Sequence, residues 1–265
     1  MAIFCDTHAH LDFDSFDPDR DAVIDRAAAN GLQFIINIAI DLAGSQKSLA
    51  LTKEYPGFVF STVGIHPNYS SDVTESDLSM IQDLTVNPEV VAIGEIGLDF
   101  YRDHATPQQQ LRALEAQLLI AEQVELPVVI HERSSAQQLV PILTQWHQNL
   151  PEDSRLKLNP GVMHAFSADQ EFVEPLLNSN FYFGIGGPVT YKNASDKRTL
   201  VLSLPMEKML LETDCPFLSP QAHRGRRNEP AYIPLIAQKI ADLRGLPVEE
   251  VGFQLTINAR NLFGL

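Results

Sequence analysis

The sequence predicts an α/β fold, a (β/α)8 TIM barrel with an additional C-terminal helix. Three observations lead there. Short apolar, β-branched stretches alternate with helix-like segments from end to end, which implies a parallel sheet. There are eight such stretches. The length of 265 residues suits one barrel, whose usual size is about 250 residues. A doubly wound open sheet is the alternative, but no Gly-x-Gly-x-x-Gly turn follows the first stretch.

The expected strands are Ile3–Asp6, Phe34–Ile38, Phe58–Val63, Val90–Gly94, Pro127–His131, Gly161–His164, Asn180–Ile185 and Met209–Thr213. "VVAIGEIG" and "PVVIHE" are continuous apolar runs, as strands buried on both faces require. The helices carry their own punctuation. Asp17-Pro18 reads as an N-cap followed by a first-turn proline, with Gly31 as the stop. Thr106-Pro107-Gln108-Gln109 reads as an N-cap, a proline and a capping-box glutamine. Leu111, Leu114, Leu118 and Ala121 then share one helix face, as do Ala136, Leu139, Val140, Leu143 and Trp146 in the next helix. Tyr232, Ile236 and Ile240 line a later one, and Val248–Phe263 is expected as a last helix on the outside. With no repeat, low-complexity segment or linker, residues 1–265 are expected to form one domain.

Apolar residues make up 45% and charged residues 20%, which is enough for a sizeable core. No apolar run approaches the roughly 18 residues of a membrane helix. No basic stretch followed by an apolar segment opens the chain. A cytoplasmic protein without membrane association or an obligate protein partner is expected. The two cysteines, Cys5 and Cys215, are too few for a disulfide framework. The net charge of −15 argues against a broad phosphate-binding face. It still permits a phosphate-bearing substrate if bound metal ions supply local positive charge.

Barrel active sites lie at the C-terminal ends of the strands. Five of the eight histidines fall there: His8, His10, His66, His131 and His164. Side chains alternate along a strand, so His8 and His10 point the same way. Glu95, His131, His164 and Asp214 arrive from other strands. Imidazole with carboxylate suits zinc or manganese, and carboxylate with water suits magnesium. Six such groups exceed one tetrahedral ion, so two divalent metal ions (Mg, Mn or Zn) are expected, with Glu95 as the bridge. A lone His-x-His is more often structural. The joint placement reverses that, because buried charges need pairing. His104 and His147 read as plain loop and helix residues. Asp6 reads either as a support for the ligands or as a core hydrogen-bonding group.

In order along the chain stand "DTHAHLD", "GIHP", "GEIGLDFYRD", "PVVIHER", "VMHAFS" and "LLETDCPFLSP…HRGRRNEP". From Ile3 to Phe263 this series resembles the TatD-type deoxyribonuclease family of amidohydrolase-like TIM barrels. The resemblance implies that His8, His10 and Asp214 bind a first metal, that His131 and His164 bind a second, and that Glu95 bridges them. Many amidohydrolase-type enzymes bridge with a carbamylated lysine; here the position holds Glu95. One departure is the polar stretch Gln148–Pro160, longer than the family suggests, which either shapes the substrate entrance or is plain surface.

The resemblance implies metal-dependent hydrolysis of DNA phosphodiester bonds, with exonucleolytic action expected. Asp214 is expected to orient the attacking water and accept its proton. His66 is expected to contact the phosphate or protonate the leaving group, or else to be a loop histidine fixed by Pro67. Arg226 and Arg227 after the last strand read as a phosphate clamp or as loop structure, and Arg133 carries the same ambiguity. Tyr101 and Phe100 stack on a base or pack the loop. Glu212 supports a ligand or holds an extra magnesium. Backbone contacts would give little sequence preference. The rival is an amidohydrolase-like enzyme acting on a small ester, lactone, amide or phosphoester, since barrel and metals do not fix the substrate. A non-catalytic metal-binding protein would predict missing ligands, and none is missing.

Overall fold

Residues 2–166 and 170–265 are described by a computed structural model of the chain. Ser167 of the "VMHAFS" motif lies outside the described residues. One parallel sheet holds eight strands in sequence order. They are β1 (Phe4–Ala9), β2 (Leu32–Asn37), β3 (Val59–Val63), β4 (Val90–Asp99), β5 (Val128–Arg133), β6 (Gly161–Met163), β7 (Tyr182–Ile185) and β8 (Met209–Leu211). Each overlaps its expected stretch. β4 runs five residues past Gly94, because Ile96, Gly97, Leu98 and Asp99 continue the pairing with Ile130, His131, Glu132 and Arg133 of β5. Only glycine fits at residue 97: its φ is 145°, and a Cβ there would stand 2.0 Å from the His131 carbonyl oxygen.

Nine α-helices are present among the described residues: α1 (Arg20–Ala29), α2 (Leu42–Glu54), α3 (Glu75–Leu84), α4 (Pro107–Val124), α5 (Ala136–Asn149), α6 (Val173–Asn178), α7 (Ser195–Ser203), α8 (Ile233–Arg244) and α9 (Val248–Phe263). The capping box at Thr106 and Gln109 forms as expected. α1 starts later than expected, with Asp19 as its N-cap. Asp17 instead accepts a hydrogen bond from Arg20 Nη2 at 2.5 Å. Among the described residues, no helix is long and apolar enough to cross a membrane.

The strands present two apolar faces. Ile35, Val59, Ile130, Met163 and Phe183 pack in one cluster with helix residues such as Ala27, Leu118, Leu139 and Ile240. Alternate residues, Phe34, Ile36, Val129, Val162 and Leu210, form a second cluster with Ala259, Leu262 and Phe263 of α9. The last helix is therefore not merely laid on the outside. It covers the interior cluster at the floor of the barrel. The stretch Gln148–Pro160 leads from α5 into the start of β6, at that same floor. There Ser154 Oγ donates to Glu125 Oε1 (2.8 Å) and Arg155 Nη2 to the Leu262 carbonyl (3.2 Å). It does not shape the entrance at the other end.

β1 and β8 close the barrel, largely through side chains. Asp6 Oδ1 accepts from the Thr213 backbone N–H at 3.0 Å and from the His8 N–H at 3.1 Å, and Thr213 Oγ1 donates to Asp6 Oδ2 at 2.5 Å. Thr7 Oγ1 donates to the Leu211 carbonyl at 2.9 Å. Above them the backbone takes over: Asp214 N–H donates to His8 O (2.8 Å) and His10 N–H to Cys215 O (2.9 Å). Asp6 is thus a core hydrogen-bonding group of the seam. Burial pushes its carboxyl up to about 7 in spite of these bonds. Asp6→Ala leaves two buried N–H groups unpaired, at about 1–3 kcal/mol each, and should lower the denaturation midpoint sharply. Asp6→Asn keeps both accepted bonds and should remain close to wild type. Equal midpoints for the alanine variant and wild type in urea unfolding would contradict this account of the seam.

Candidate metal centre

The strand ends bring the six sequence-selected groups together. His8 Nε2 lies 3.3 Å from His10 Nε2, 3.5 Å from Glu95 Oε2 and 3.8 Å from Asp214 Oδ1. His10 Nε2 lies 3.4 Å from Asp214 Oδ1, and His164 Nε2 lies 3.7 Å from the same oxygen. On the other side of Glu95, Oε1 is 2.9 Å from His131 Nδ1 and 3.8 Å from His66 Nε2. His8 and Glu95 are buried, at 1% and 3% exposure. Three compact sets of ligand atoms result: His8, His10 and Glu95; His8, His164 and Asp214; and His66, Glu95 and His131. His164 therefore groups with His8, not with His131, and His66 joins the set around His131.

Other groups fix the orientation of these rings. His10 Nδ1 is 2.9 Å from the Ile38 carbonyl, which only accepts, so Nδ1 carries a proton and Nε2 is the nitrogen turned to the cluster. His131 Nε2 faces Asp99 Oδ2 at 3.3 Å, and Asn68 Nδ2 donates to the same oxygen at 3.1 Å. His164 Nδ1 faces Glu212 Oε2 at 3.1 Å, while Glu212 Oε1 accepts from the Ala165 N–H at 2.7 Å. Gly184 makes room for this carboxylate, since a Cβ there would stand 2.0 Å from Glu212 Oε2. Of the two readings of Glu212, this geometry matches support of His164. The Asn68 N–H donates to His66 Nδ1 at 3.1 Å, which leaves the proton of a neutral His66 on Nε2, pointing at the cluster.

Three residues lining the cavity hold left-handed backbone, Asp214 at φ 57°, Leu218 at φ 52° and Ala165 at φ 44°. Such conformations cost a non-glycine residue about 1–3 kcal/mol and persist where the surroundings over-determine them. Asp214 is held by its N–H bond to His8 and by the Phe217 N–H bond to its own carbonyl. That turn aims its carboxylate back over β1.

The charge balance of the cluster is strongly perturbed. Burial opposes charge on His131 and His164, yet the facing carboxylates outweigh it. Asp99 and Glu95 raise His131 to about 9, and Glu212 and Asp214 raise His164 to about 10. Burial pushes His66 down to about 3. Burial also disfavours ionised Glu95, but the surrounding imidazoles hold it well below the usual carboxylate range.

The donor set fits divalent metal ions. Two ligands of one tetrahedral ion, each at about 2.0–2.2 Å, stand roughly 3.4 Å apart. The His8–His10, His8–Glu95 and His10–Asp214 separations are 3.3, 3.5 and 3.4 Å. Imidazole lone pairs and ionised carboxylates converging without a cation would otherwise be costly to bury.

A cavity of about 790 Å³ opens above the cluster. Its wall carries the basic side chains Arg102, Arg133 and Lys197 and the apolar ones Phe13, Phe166, Val189 and Phe217, with Lys197 Nζ 3.4 Å from the Phe166 carbonyl. Asp99, Asn68, Arg102 and Lys197 join the site only in the folded barrel. Asp99 was visible at the end of "GEIGLD", but only the barrel shows it behind His131. His104, expected to be a plain loop residue, also stands in the wall, while His147 bonds the Lys157 carbonyl through Nε2.

The expected phosphate clamp needs correction. Arg227 donates to the Ser15 carbonyl (2.5 Å) and to Asp19 Oδ2 (2.7 Å), and it lies over the Phe16 ring. Its guanidinium is occupied by the loop between β1 and α1 and does not reach the cavity. Arg226 is exposed and is not part of the cavity wall. Arg133 does line the cavity, with its guanidinium carbon 3.8 Å from the centre of the exposed Tyr101 ring. Phe100 packs against the core.

A parallel eight-stranded barrel with imidazoles and carboxylates gathered at its mouth defines a TIM-barrel protein with a candidate metal centre. The comparisons with known proteins narrow this. The family model described as "TatD related DNase" matches residues 5–264. A Bacillus subtilis protein named "Uncharacterized metal-dependent hydrolase YabD" is 37% identical over 258 residues, covering 97% of this chain and 98% of its own. A protein of Erwinia tasmaniensis named "3'-5' ssDNA/RNA exonuclease TatD" is 36% identical over 265 residues, covering 98% and 99%. The crystal structure of the TatD homologue YJJV from Escherichia coli superposes with a TM-score of 0.90 at 31% identity, over 99% of this chain and 98% of that one. The chain belongs to the TatD-related DNase family.

Metal loading should release protons. His131 and His164, raised to about 9 and about 10, are charged at pH 7.5 in the metal-free protein, and a metal ligand must be neutral. Calorimetric titration with manganese in buffers of different ionisation enthalpy should show up to about two protons displaced, and affinity should rise from pH 7 towards 9. Binding heats independent of the buffer would contradict this charge state.

Proposed function

We propose that the chain is a divalent-metal-dependent nuclease that removes nucleotides from the 3′ end of single-stranded DNA or RNA. One observation carries the reading: a buried cluster of imidazoles and carboxylates around Glu95 opens into a cavity lined by basic and apolar side chains. The relatives named as 3'-5' ssDNA/RNA exonucleases support the polarity. By this geometry His8, His10 and Asp214 would hold one ion with His164 beside them, His131 would hold a second, and Glu95 would reach both. When bound, such ions lower the pKa of water and offset charge on the phosphate oxygens.

The protein's own groups do the rest. Asp214 keeps part of its carboxylate open to the cavity (side-chain exposure 14%) and orients the attacking water as it takes up the proton. His66 is neutral, so its Nε2–H donates a hydrogen bond to a phosphate oxygen. A ring pushed down to about 3 is a poor source of a proton at neutral pH. Phosphate contact therefore suits His66 better than protonation of the leaving group. Asp99 and Glu212 hold the rings of His131 and His164 in place. Arg133, Arg102 and Lys197 supply positive charge at the rim of an acidic protein. These contacts address the backbone and not the bases, which gives weak sequence preference.

Single-stranded DNA labelled at its 3′ or 5′ end tests the reading with magnesium, manganese or zinc. The 3′ label should appear first as mononucleotide, and Glu95→Ala should fall to background while keeping its fold. Inactivity of the wild type on every nucleic acid, with hydrolysis of a small ester or lactone, would overturn the nuclease reading in favour of an amidohydrolase-like one.

A further inference from the structure

We infer that Phe217 is a stacking platform for the terminal base of the substrate strand, held in position by the segment His223–Pro230. The inference rests on the single-strand nuclease reading above. It begins with an apparent misplacement. Phe217 is a large apolar side chain left 52% exposed at the mouth of the cavity. Its ring is nevertheless braced. It stands edge-on to Phe13 at 6.1 Å and to His10 at 6.3 Å between ring centres, and Phe13 in turn stacks on His10 at 4.8 Å. The platform is therefore one ring away from the metal-type cluster.

The backbone of Phe217 is fixed from both sides. Its N–H donates to the Asp214 carbonyl at 2.8 Å. Its carbonyl accepts from Asn228 Nδ2 at 2.6 Å, and the same amide nitrogen donates to the Thr213 carbonyl at 2.8 Å. Asn228 is fully buried. Its flanks are anchored by Arg227 on Asp19 and by Glu229, which accepts two bonds from Arg26 at 2.9 and 2.6 Å. The arginine-rich segment thus serves the site through Asn228 and not by touching phosphate.

The occupant follows from chemistry. A half-exposed aromatic ring beside a cluster suited to a phosphodiester, with cationic side chains elsewhere in the same wall, matches a nucleotide: phosphate at the cluster, base on the ring. A phenyl ring offers a π face and no hydrogen-bond donor, so it accepts any base. It also requires that base to be unpaired.

Two otherwise identical oligonucleotides, one ending at its 3′ side in a normal nucleotide and one in an abasic residue, test the inference with manganese present. The wild type should prefer the base-bearing strand by roughly tenfold or more in kcat/KM, chiefly through KM. In Phe217→Ala this preference should collapse towards one, and Phe217→Trp should restore it. An active wild type without preference, a preference that survives Phe217→Ala, or a tryptophan variant that fails to restore it would overturn the platform alone. A wild type that cleaves neither strand would overturn the hydrolytic reading on which the platform rests.

Discussion

The contact on which the rest of the structure depends is the seam between β1 and β8. The barrel closes there through the Asp6 carboxylate and the Thr7 and Thr213 hydroxyls. The same seam sets the N–H of Asp214 on the carbonyl of His8 and the N–H of His10 on the carbonyl of Cys215. Residues some 200 positions apart in sequence thereby present two imidazoles and a carboxylate to one point, with His10 Nε2 and Asp214 Oδ1 3.4 Å apart. The seam thus both closes the barrel and brings the site residues together.

From that seam the support spreads outward in pairs. Each imidazole facing the cluster, His8 apart, is oriented by a polar group behind it: Ile38 carbonyl for His10, the Asn68 N–H for His66, Asp99 for His131 and Glu212 for His164. In the metal-free cluster the raised His131 and His164 offset part of the charge of the buried carboxylates. Incoming cations would displace these protons, so part of the positive charge they bring replaces charge already present.

Much of this was legible in the sequence because it rests on local pattern. Strand position and side-chain alternation follow from short apolar runs, and the cluster residues follow from the rule that function sits at the C-terminal ends of strands. The Thr106 cap and the extent of α9 were equally readable. What was not legible depends on distance in space. The floor position of α9 follows from Leu262 and Phe263 meeting Phe34 and Val162. The pairing of Glu212 with His164 follows from the gap left by Gly184. The three arginines near residue 226 looked like a clamp because composition shows charge and hides partners. Asp19, with Ser15, occupies Arg227, and the working residue of that stretch is the neutral Asn228. Three cationic side chains, Arg102, Arg133 and Lys197, nevertheless stand in the cavity wall of this acidic protein.

The account turns on whether Glu95 lies between two metal ions. Anomalous scattering from manganese-loaded crystals addresses this directly. The account predicts two peaks flanking the Glu95 carboxylate, one against His8, His10 and Asp214 and the other against His131. An absence of peaks at Glu95, or occupancy only at a site remote from it, would contradict it.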